Sequence, residues 1–245
     1  MTAAGPAGGG PGPVGAVDPA RRIVVLDYGI GNLRSAEKAL EHLGAPARLV
    51  SRPEDVAGAA GVVLPGVGHF SSCARALAAS GLGAAALGAI REGVPFLGVC
   101  VGFQLLYEES EESPGVAGLG VFAGRVRRLP AGVKHPQMQW NRLRRRPGRP
   151  SGMLAGLGEE PWAYFVHSFA PDIGDETVAE CEYGGPVAAA AERDNVWGTQ
   201  FHPEKSGTVG LAILANFVAR CGPAGAGGGP GGWPAARGAR PVAGR

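Results

Sequence analysis

The first half of the chain alternates short apolar runs with longer amphipathic or alanine-rich runs. The short runs, which have the length of buried strands, occupy residues 22–27, 47–50, 61–64 and 94–99. The longer runs, which favour helices, occupy residues 33–43, 70–80 and 83–92. Strands that alternate with helices are typical of parallel βαβ units with helices on both faces of a sheet.

The pattern changes after residue 115. Runs typical of strands follow at residues 119–129, 162–169, 187–192 and 196–201, with no long helical run between them. A last amphipathic run at 208–219 predicts a closing helix. The basic run at 142–149 is interpreted as a solvated loop. The sequence therefore predicts an α/β fold whose open, mostly parallel sheet is flanked by helices, with a mixed or antiparallel C-terminal part.

Composition divides the chain into a folded unit and two ends. The chain holds 43 glycines and 21 prolines, and they are concentrated near both termini. Low-complexity stretches of this kind bury too little apolar surface to fold. We therefore predict disordered tails at residues 1–20 and 222–245 and one folded domain at 21–221.

Charge and cysteine usage exclude several classes of protein. A formal net charge of +2 gives no support for a nucleic-acid partner, and no apolar run predicts a membrane span or a signal peptide. The four cysteines show no spacing typical of a zinc site, so no metal is expected. Free thiols persist in a reducing compartment, which makes the cytoplasm the predicted location.

The residues around Cys100 predict a nucleophile elbow. An apolar strand precedes this cysteine, glycines lie two residues away on each side, and the run from 103 to 109 is amphipathic. A strand that turns sharply into a helix exposes its nucleophile, and the helix N-terminus stabilises a thiolate. Cys100 is therefore the predicted nucleophile, whereas Cys73, Cys181 and Cys221 lack such a context.

A base and a carboxylate occur together about a hundred residues later. His202 and Glu204 follow a predicted strand and are separated by Pro203. Two residues apart in extended backbone, their side chains project to one side, so the carboxylate can fix the imidazole tautomer. We predict that His202 is the base acting on Cys100 and that Glu204 orients it.

Backbone N–H groups and an amide complete the predicted site. Gly66, Val67 and Gly68 follow a buried strand, and the amide of Val101 follows the nucleophile, so together they could form an oxyanion hole. Gln104 lies one helical turn beyond Cys100 and could bind a polar substrate. The glycines near residue 30 lack the dinucleotide-binding pattern, and no cofactor is expected.

These stretches together resemble the class I (triad) glutamine amidotransferases, and most closely the glutaminase subunits of imidazole glycerol phosphate synthase in histidine biosynthesis. The resemblance covers roughly residues 22–220. It is carried by DYGIGNL (27–33), PGVGHF (65–70), GVCVGFQLL (98–106), WN (140–141), YFVHSF (164–169) and QFHPEKS (200–206).

The resemblance implies a reaction and a partner. Cys100 would attack the side-chain amide of glutamine, and water would hydrolyse the resulting γ-glutamyl thioester to glutamate. Gln104 and the backbone near Ser168 and Phe169 would hold glutamine. Ammonia would pass to a separate (β/α)₈-barrel cyclase subunit in a heterodimer. The family positions expected near that interface are Asn32, Trp140, Tyr164 and Lys205.

One segment departs from the family pattern. Residues 134–140 read KHPQMQW, where Gln137 replaces an expected histidine and Gln139 an expected glycine. His69 is a smaller variation. The departures leave the triad intact and bear on the interface.

Three other functions fit parts of the sequence. The chain could be the glutaminase of another synthase, such as that of vitamin B6 biosynthesis. It could be a non-catalytic interaction subunit that kept the fold, or a cysteine peptidase-like or thiol-stress protein on a similar fold.

Overall fold

The computed structural model describes residues 22–222 and is built on one large twisted sheet of eight strands. From one edge to the other these strands are β2 (Ala47–Val50), β1 (Ile23–Leu26), β3 (Gly61–Gly66), β4 (Phe96–Cys100), β13 (Val196–Thr199), β12 (Pro186–Arg193), β11 (Thr177–Glu182) and β8 (Arg144–Arg145). The first five are parallel and the last three are antiparallel. This order confirms the predicted fold.

Two smaller sheets lie beside the large one. A two-stranded ribbon pairs β7 (Gln137–Arg142) with β9 (Trp162–His167), and a three-stranded sheet joins β5 (Glu109–Ser110), β6 (Arg125–Arg128) and β10 (Phe169–Pro171). Strands β9 and β10 are separated only by Ser168, so the predicted single strand at 162–169 is divided between the two sheets.

The helices, apart from the short α4, match the helical runs of the sequence. They are α1 (Leu33–His42), α2 (Phe70–Ala79), α3 (Leu82–Arg91), α4 (Val101–Gln104) and α5 (Gly207–Arg220), with short 3₁₀ helices at Pro53–Val56 and Pro203–Lys205. Each long helix buries an apolar face, as Ile213, Leu214 and Phe217 of α5 illustrate. Gly44, with φ of +77°, ends α1 in the left-handed region that glycine favours.

The predicted helix at 103–109 is wrong beyond its first turn. Helix α4 ends at Gln104, and the chain then forms turns leading to β5. The carbonyl oxygens of Leu105 and Leu106 accept hydrogen bonds from Leu119 and Val121, each at 2.7 Å. Because a distant segment takes these acceptors, they cannot bond within a longer helix.

Two further expectations from the second half are corrected. Only Arg125–Arg128 of the predicted strand at 119–129 is extended, since the preceding residues lie against the turns after α4. The basic run is not simply a solvated loop, because Arg144–Arg145 pairs with β11 at the edge of the large sheet. Arg146 also forms a 3.0 Å ion pair with Glu180.

The helices of residues 22–222 bear on the predicted lack of a membrane span. No single helix there is long and apolar enough to cross a membrane; α2 and α3 reach that threshold only as a pair, and their junction is bent by 85°. The predicted tails at 1–20 and 222–245 lie outside the described residues, apart from Gly222.

Candidate active site

Cys100 ends strand β4 and begins the turn into α4. Its φ of 55° and ψ of −113° lie outside the regions that most side chains adopt. The turn is tight because α4 packs directly on β3. A Cβ at Gly102 would lie 1.9 Å from the Leu64 carbonyl oxygen, so no other residue fits there. The elbow expected from the sequence is present, and it holds a nearly buried thiol.

His202 and Glu204 lie next to each other beyond the end of β13. Nδ1 of His202 and Oε1 of Glu204 are 2.8 Å apart, and both side chains are almost completely buried. The backbone between them is not extended as expected, because Pro203 begins a short 3₁₀ helix. The pair still forms, since that helix turns the carboxylate back toward the imidazole.

The electrostatics favour a protonated His202 beside the thiol. Burial alone would lower the pKa of His202, but hydrogen bonds and charge interactions with Cys100 and Glu204 outweigh it and raise the pKa to about 10. An imidazolium in this place can stabilise a thiolate and can later donate its proton to a leaving group. The arrangement of Cys100, His202 and Glu204 therefore fits the predicted nucleophile, base and orienting carboxylate.

The side-chain amide of Gln200 also lies near the thiol of Cys100. Its Nε2 lies 3.8 Å from Sγ of Cys100, while its Oε1 accepts a 3.1 Å hydrogen bond from Nε2 of Gln104. Gln104 also donates to the carbonyl oxygen of Phe169 at 2.9 Å. The sequence interpretation missed Gln200, although its place just before Phe201 and His202 is the signal that could have identified it.

A cavity of about 160 Å³ opens beside Cys100. All three predicted substrate-binding residues line it, namely Gln104, Ser168 and Phe169. The predicted oxyanion residues Val67, Gly68 and Val101 line it as well. Within the described residues, the N–H groups of these last three donate to no protein acceptor. They are therefore free to bind a developing negative charge on a ligand.

Gly66 lies in a different place from its predicted neighbours. It is buried at the end of β3, paired with Cys100, and does not line this cavity. A Cβ at Gly66 would lie 2.5 Å from the backbone nitrogen of Gly102. A glycine is therefore required at position 66, because α4 approaches it closely. Gly66 does line a second, smaller cavity together with Asn32, His202 and Glu204.

Three residues that line the larger cavity were not anticipated, namely Glu112, Val166 and His167. Glu112 is half-buried, and its Oε2 accepts a 2.7 Å hydrogen bond from the N–H of Phe70. It lies in a charged run from 108 to 112, where nothing marks one carboxylate above another. Burial lowers the pKa of His167 to about 4, and its Nδ1–H donates to the Phe169 carbonyl oxygen at 2.9 Å. Nε2 of this neutral imidazole has no hydrogen-bond partner among the described residues.

The structure brings the four predicted interface residues to one side of the molecule. Trp140 and Tyr164 face each other across the ribbon, with ring centroids 6.0 Å apart. The Ser206 hydroxyl accepts a 3.0 Å hydrogen bond from the N–H of Tyr164, next to exposed Lys205. Asn32 lines the smaller cavity with Glu204.

The two unusual glutamines of the ribbon lie in different environments. Gln137 is fully buried opposite His167, and its Nε2 lies 3.8 Å from Sγ of Cys181. Gln139 is exposed, so its side chain is accommodated where relatives of this kind were expected to have none. Neither side chain lines the cavity beside Cys100.

The fold and the elbow geometry agree with comparisons to known proteins. Residues 24–221 match the family model described as glutamine amidotransferase class-I, and the chain belongs to this family. A crystal structure of a glutamine amidotransferase shares the fold with a TM-score of 0.65 at 22% identity, covering 81% of this chain and 98% of that one. PurLQS from Thermotoga maritima does so with a TM-score of 0.63 at 20% identity, covering 81% and 97%.

Relatives of higher sequence identity place the chain more narrowly within this class. The chain is 48% identical over 209 residues to the imidazole glycerol phosphate synthase subunit HisH of Deinococcus radiodurans, covering 84% of this chain and 96% of the relative. It is also 48% identical over 197 residues to the HisH subunit of Methanothermobacter thermautotrophicus, covering 80% and 97%. Within the class, the chain belongs to the HisH family.

Proposed function

We propose that this chain is the glutaminase subunit of an imidazole glycerol phosphate synthase, releasing ammonia from glutamine for histidine biosynthesis. The observation that carries the proposal is the buried Cys100, His202 and Glu204 group beside a cavity with free backbone N–H donors, in a chain of the HisH family. We place the enzyme in the cytoplasm, where a catalytic thiol stays reduced.

The reaction begins with attack on the side-chain amide. The thiolate of Cys100 forms a bond to the amide carbon, and the carbonyl oxygen takes the negative charge. The N–H groups of Val67, Gly68 and Val101 stabilise this oxyanion. His202, protonated and held by Glu204, donates its proton to the leaving nitrogen, so ammonia departs and a γ-glutamyl thioester remains.

Water completes the cycle. His202, now neutral, takes a proton from a water molecule, which attacks the thioester carbon. The tetrahedral intermediate then expels the Cys100 thiolate and releases glutamate. His202 is left protonated, so the thiolate and imidazolium of the starting state are restored.

The cavity also offers groups that suit the amino-acid end of glutamine. Glu112 places a carboxylate where the α-ammonium of a bound glutamine could be neutralised. Its hydrogen bond to the N–H of Phe70 fixes that carboxylate. Gln104 and the backbone of Ser168 and Phe169 complete the substrate contacts, and the two hydrogen bonds of Gln104 hold its amide in place.

The (β/α)₈-barrel cyclase subunit docks on the outer face of the ribbon. Met138 and Trp140 are 60% and 48% exposed there, two large apolar side chains on the same face of one strand. Lys205 lies next to Ser206, whose hydroxyl accepts a hydrogen bond from the N–H of Tyr164 in the ribbon. Asn32 lines the smaller cavity with Glu204. That cavity touches both His202 and the interface residue Asn32, which supports ammonia transfer on this side.

Glutamate production by the purified chain tests the proposal. It should be measured alone, with the cyclase subunit, and with the cyclase subunit plus its phosphoribosyl nucleotide substrate. We expect the last mixture to stimulate hydrolysis strongly, and a Cys100→Ser variant to give the background rate. A folded chain that hydrolyses glutamine but is not stimulated would serve another synthase. A folded chain that releases no glutamate in any mixture would overturn the glutaminase function.

A further inference from the structure

The oxyanion segment, defined here as residues 65–68, is tethered from behind by two side chains. The Tyr28 hydroxyl donates a 2.7 Å hydrogen bond to the carbonyl oxygen of Pro65. The Cys73 thiol donates to the carbonyl oxygen of Val67 at 3.2 Å. Tyr28 follows β1 and Cys73 belongs to α2, so two separate elements hold carbonyls two residues apart.

The tether at Val67 determines where the next N–H points. In a planar trans peptide the C=O and the N–H point in opposite directions. The carbonyl of Val67 points at Cys73 on α2, so the N–H of Gly68 points away from that helix. Gly68 also lines the cavity beside Cys100, which makes its N–H available to a ligand there.

Packing alone does not hold this peptide. Gly68 has a φ of +84°, and among the described residues no atom beyond Gly68 and its two chain neighbours lies within 4 Å of the Cβ position that it lacks. A glycine in open space can rotate its neighbouring peptides at little cost. The hydrogen bond from Cys73 is therefore the contact that fixes the orientation of the peptide between Val67 and Gly68.

Both tethering groups are suited to act as lasting donors. Cys73 is completely buried and Tyr28 is nearly so. Burial raises the pKa of the Cys73 thiol, and burial together with the neighbouring thiol raises the pKa of the Tyr28 phenol. Each group keeps its proton at neutral pH, so each can donate to a carbonyl and neither competes with Cys100 as a nucleophile.

We propose that Cys73 and Tyr28 are positioning residues that align the oxyanion segment for the hydrolysis of glutamine. Neither touches the reacting atoms. Cys73 acts through the carbonyl of Val67 and turns the N–H of Gly68 toward the oxyanion that forms on attack by Cys100. Tyr28 acts through the carbonyl of Pro65 and holds the start of the same segment in place. This inference rests on the proposed glutaminase function and adds to it two side chains that the reaction steps do not use.

The test compares removal of the donor with its replacement. Cys73→Ala, Cys73→Ser and the control Cys181→Ala are assayed in the complete complex with the cyclase subunit and its nucleotide substrate. Cys181 is also a buried thiol, but it lies in β11 away from the cavity. We expect Cys73→Ala to lower kcat about tenfold, since weaker oxyanion binding slows the chemical step. KM for glutamine should change less than about twofold, because ground-state contacts are intact.

Three readouts separate positioning from a general loss of structure. Cys73→Ser should recover most of kcat, since a hydroxyl also donates to Val67. The rate of Cys100 alkylation by iodoacetamide should be unchanged in Cys73→Ala, because alkylation forms no oxyanion. Cys181→Ala should keep kcat within about twofold of the wild type. If Cys73→Ala does not fold, Tyr28→Phe removes the other donor at constant volume and should lower kcat severalfold.

The outcomes distinguish this inference from the function on which it rests. An inactive wild-type complex would contradict the glutaminase function itself. With an active wild type, the inference is overturned by a Cys73→Ala variant of normal kcat, by a serine variant as slow as alanine, or by alkylation that slows in parallel with kcat. A Tyr28→Phe variant of normal kcat would show that Tyr28 is not a positioning residue.

Discussion

Strand β9 shows two surfaces of opposite character on one stretch of backbone. Its inward residues Ala163, Phe165 and His167 are buried, and His167 lines the cavity beside Cys100. Its outward residues Trp162 and Tyr164 lie on the open face of the ribbon, and Val166, which alternates with His167, also lines the cavity. Because side chains alternate along a strand, one six-residue segment serves the reaction on one side and the proposed partner on the other.

The two surfaces differ in whether their side chains are held by hydrogen bonds within the protein or are left exposed. On the inner side, His167 is fixed by the carbonyl of Phe169, and the amides of Gln104 and Gln200 are fixed by each other. On the outer side, Trp140 and Met138 extend the apolar face and remain largely exposed. Inner positions are therefore expected to affect chemistry and stability, and outer positions to affect association.

Of the variants, Cys100→Ala is expected to distinguish the two surfaces most clearly, because it should abolish activity and leave association unchanged. Removal of the nucleophile should lower glutamine hydrolysis in the complex by at least about a thousandfold. Binding of the cyclase subunit should change less than about twofold, because Cys100 is only 4% exposed and lies behind the ribbon. Activity assays and calorimetric titration measure the two quantities. Loss of complex formation by the folded variant would show that the two surfaces are not independent.

A smaller effect is expected from pH at the inner surface. Burial lowers the pKa of His167 to about 4, below its usual value near 6.5, so the unfolded chain binds an extra proton between these values. This contribution to stability is complete above about pH 6.5 and is lost as the pH falls toward 4, by roughly 3 kcal/mol.

The matched variant is His167→Asn, whose amide can still donate to Phe169 but does not titrate in this range. Urea unfolding at pH 7.5 and at pH 4.5 measures the free energy of unfolding of both proteins. The wild type should lose more stability on acidification than the variant does. An equal loss in both would mean that His167 does not carry this pH dependence.

The smallest of the three effects is expected at the outer surface. Trp140→Ala should weaken binding of the cyclase subunit roughly tenfold or more, as the loss of a buried interface tryptophan commonly does. Trp162→Ala is a matched control, because both tryptophans lie on this ribbon and both are 48% exposed, but only Trp140 is in the predicted interface. We expect the control to change the affinity less than about threefold.

Equal losses of affinity in Trp140→Ala and Trp162→Ala would place the centre of the interface further along the ribbon. Both variants should keep the rate at which iodoacetamide alkylates Cys100, since neither side chain reaches the cavity. A slower alkylation in either would show that the outer surface also shapes the active site.

The sequence predicted best those site residues that lie close to one another along the chain. Gly98, Cys100 and Gly102 lie within five residues at the end of β4 and the start of α4, and a short 3₁₀ helix that contains Glu204 begins directly after His202, so neighbours in the chain are neighbours in space. Gln200 and Glu112 escaped notice because their positions depend on contacts with residues far along the chain. Cys73 looked inert for the same reason, since its partner is a backbone carbonyl that a sequence pattern does not reveal.

The second half of the fold was the harder part to predict. Strand β7 reads QMQWNR and its alternation is inverted, because the apolar Met138 and Trp140 are exposed whereas the polar Gln137 is buried. Strand β8 consists of two arginines that are extended only because β11 lies beside them. In both cases the pairing partner, and not the local pattern, determines the conformation.

The sequence by itself determined the alternating strands and helices of the first half, the elbow at Cys100 and the pairing of His202 with Glu204. Periodicity, glycine placement and short spacing are local properties, so they can be read along the chain. Only the tertiary structure decided where α4 ends, which carbonyls Tyr28 and Cys73 hold, and how Gln139 is accommodated. Those outcomes depend on hydrogen bonds and open space between segments that are distant in sequence.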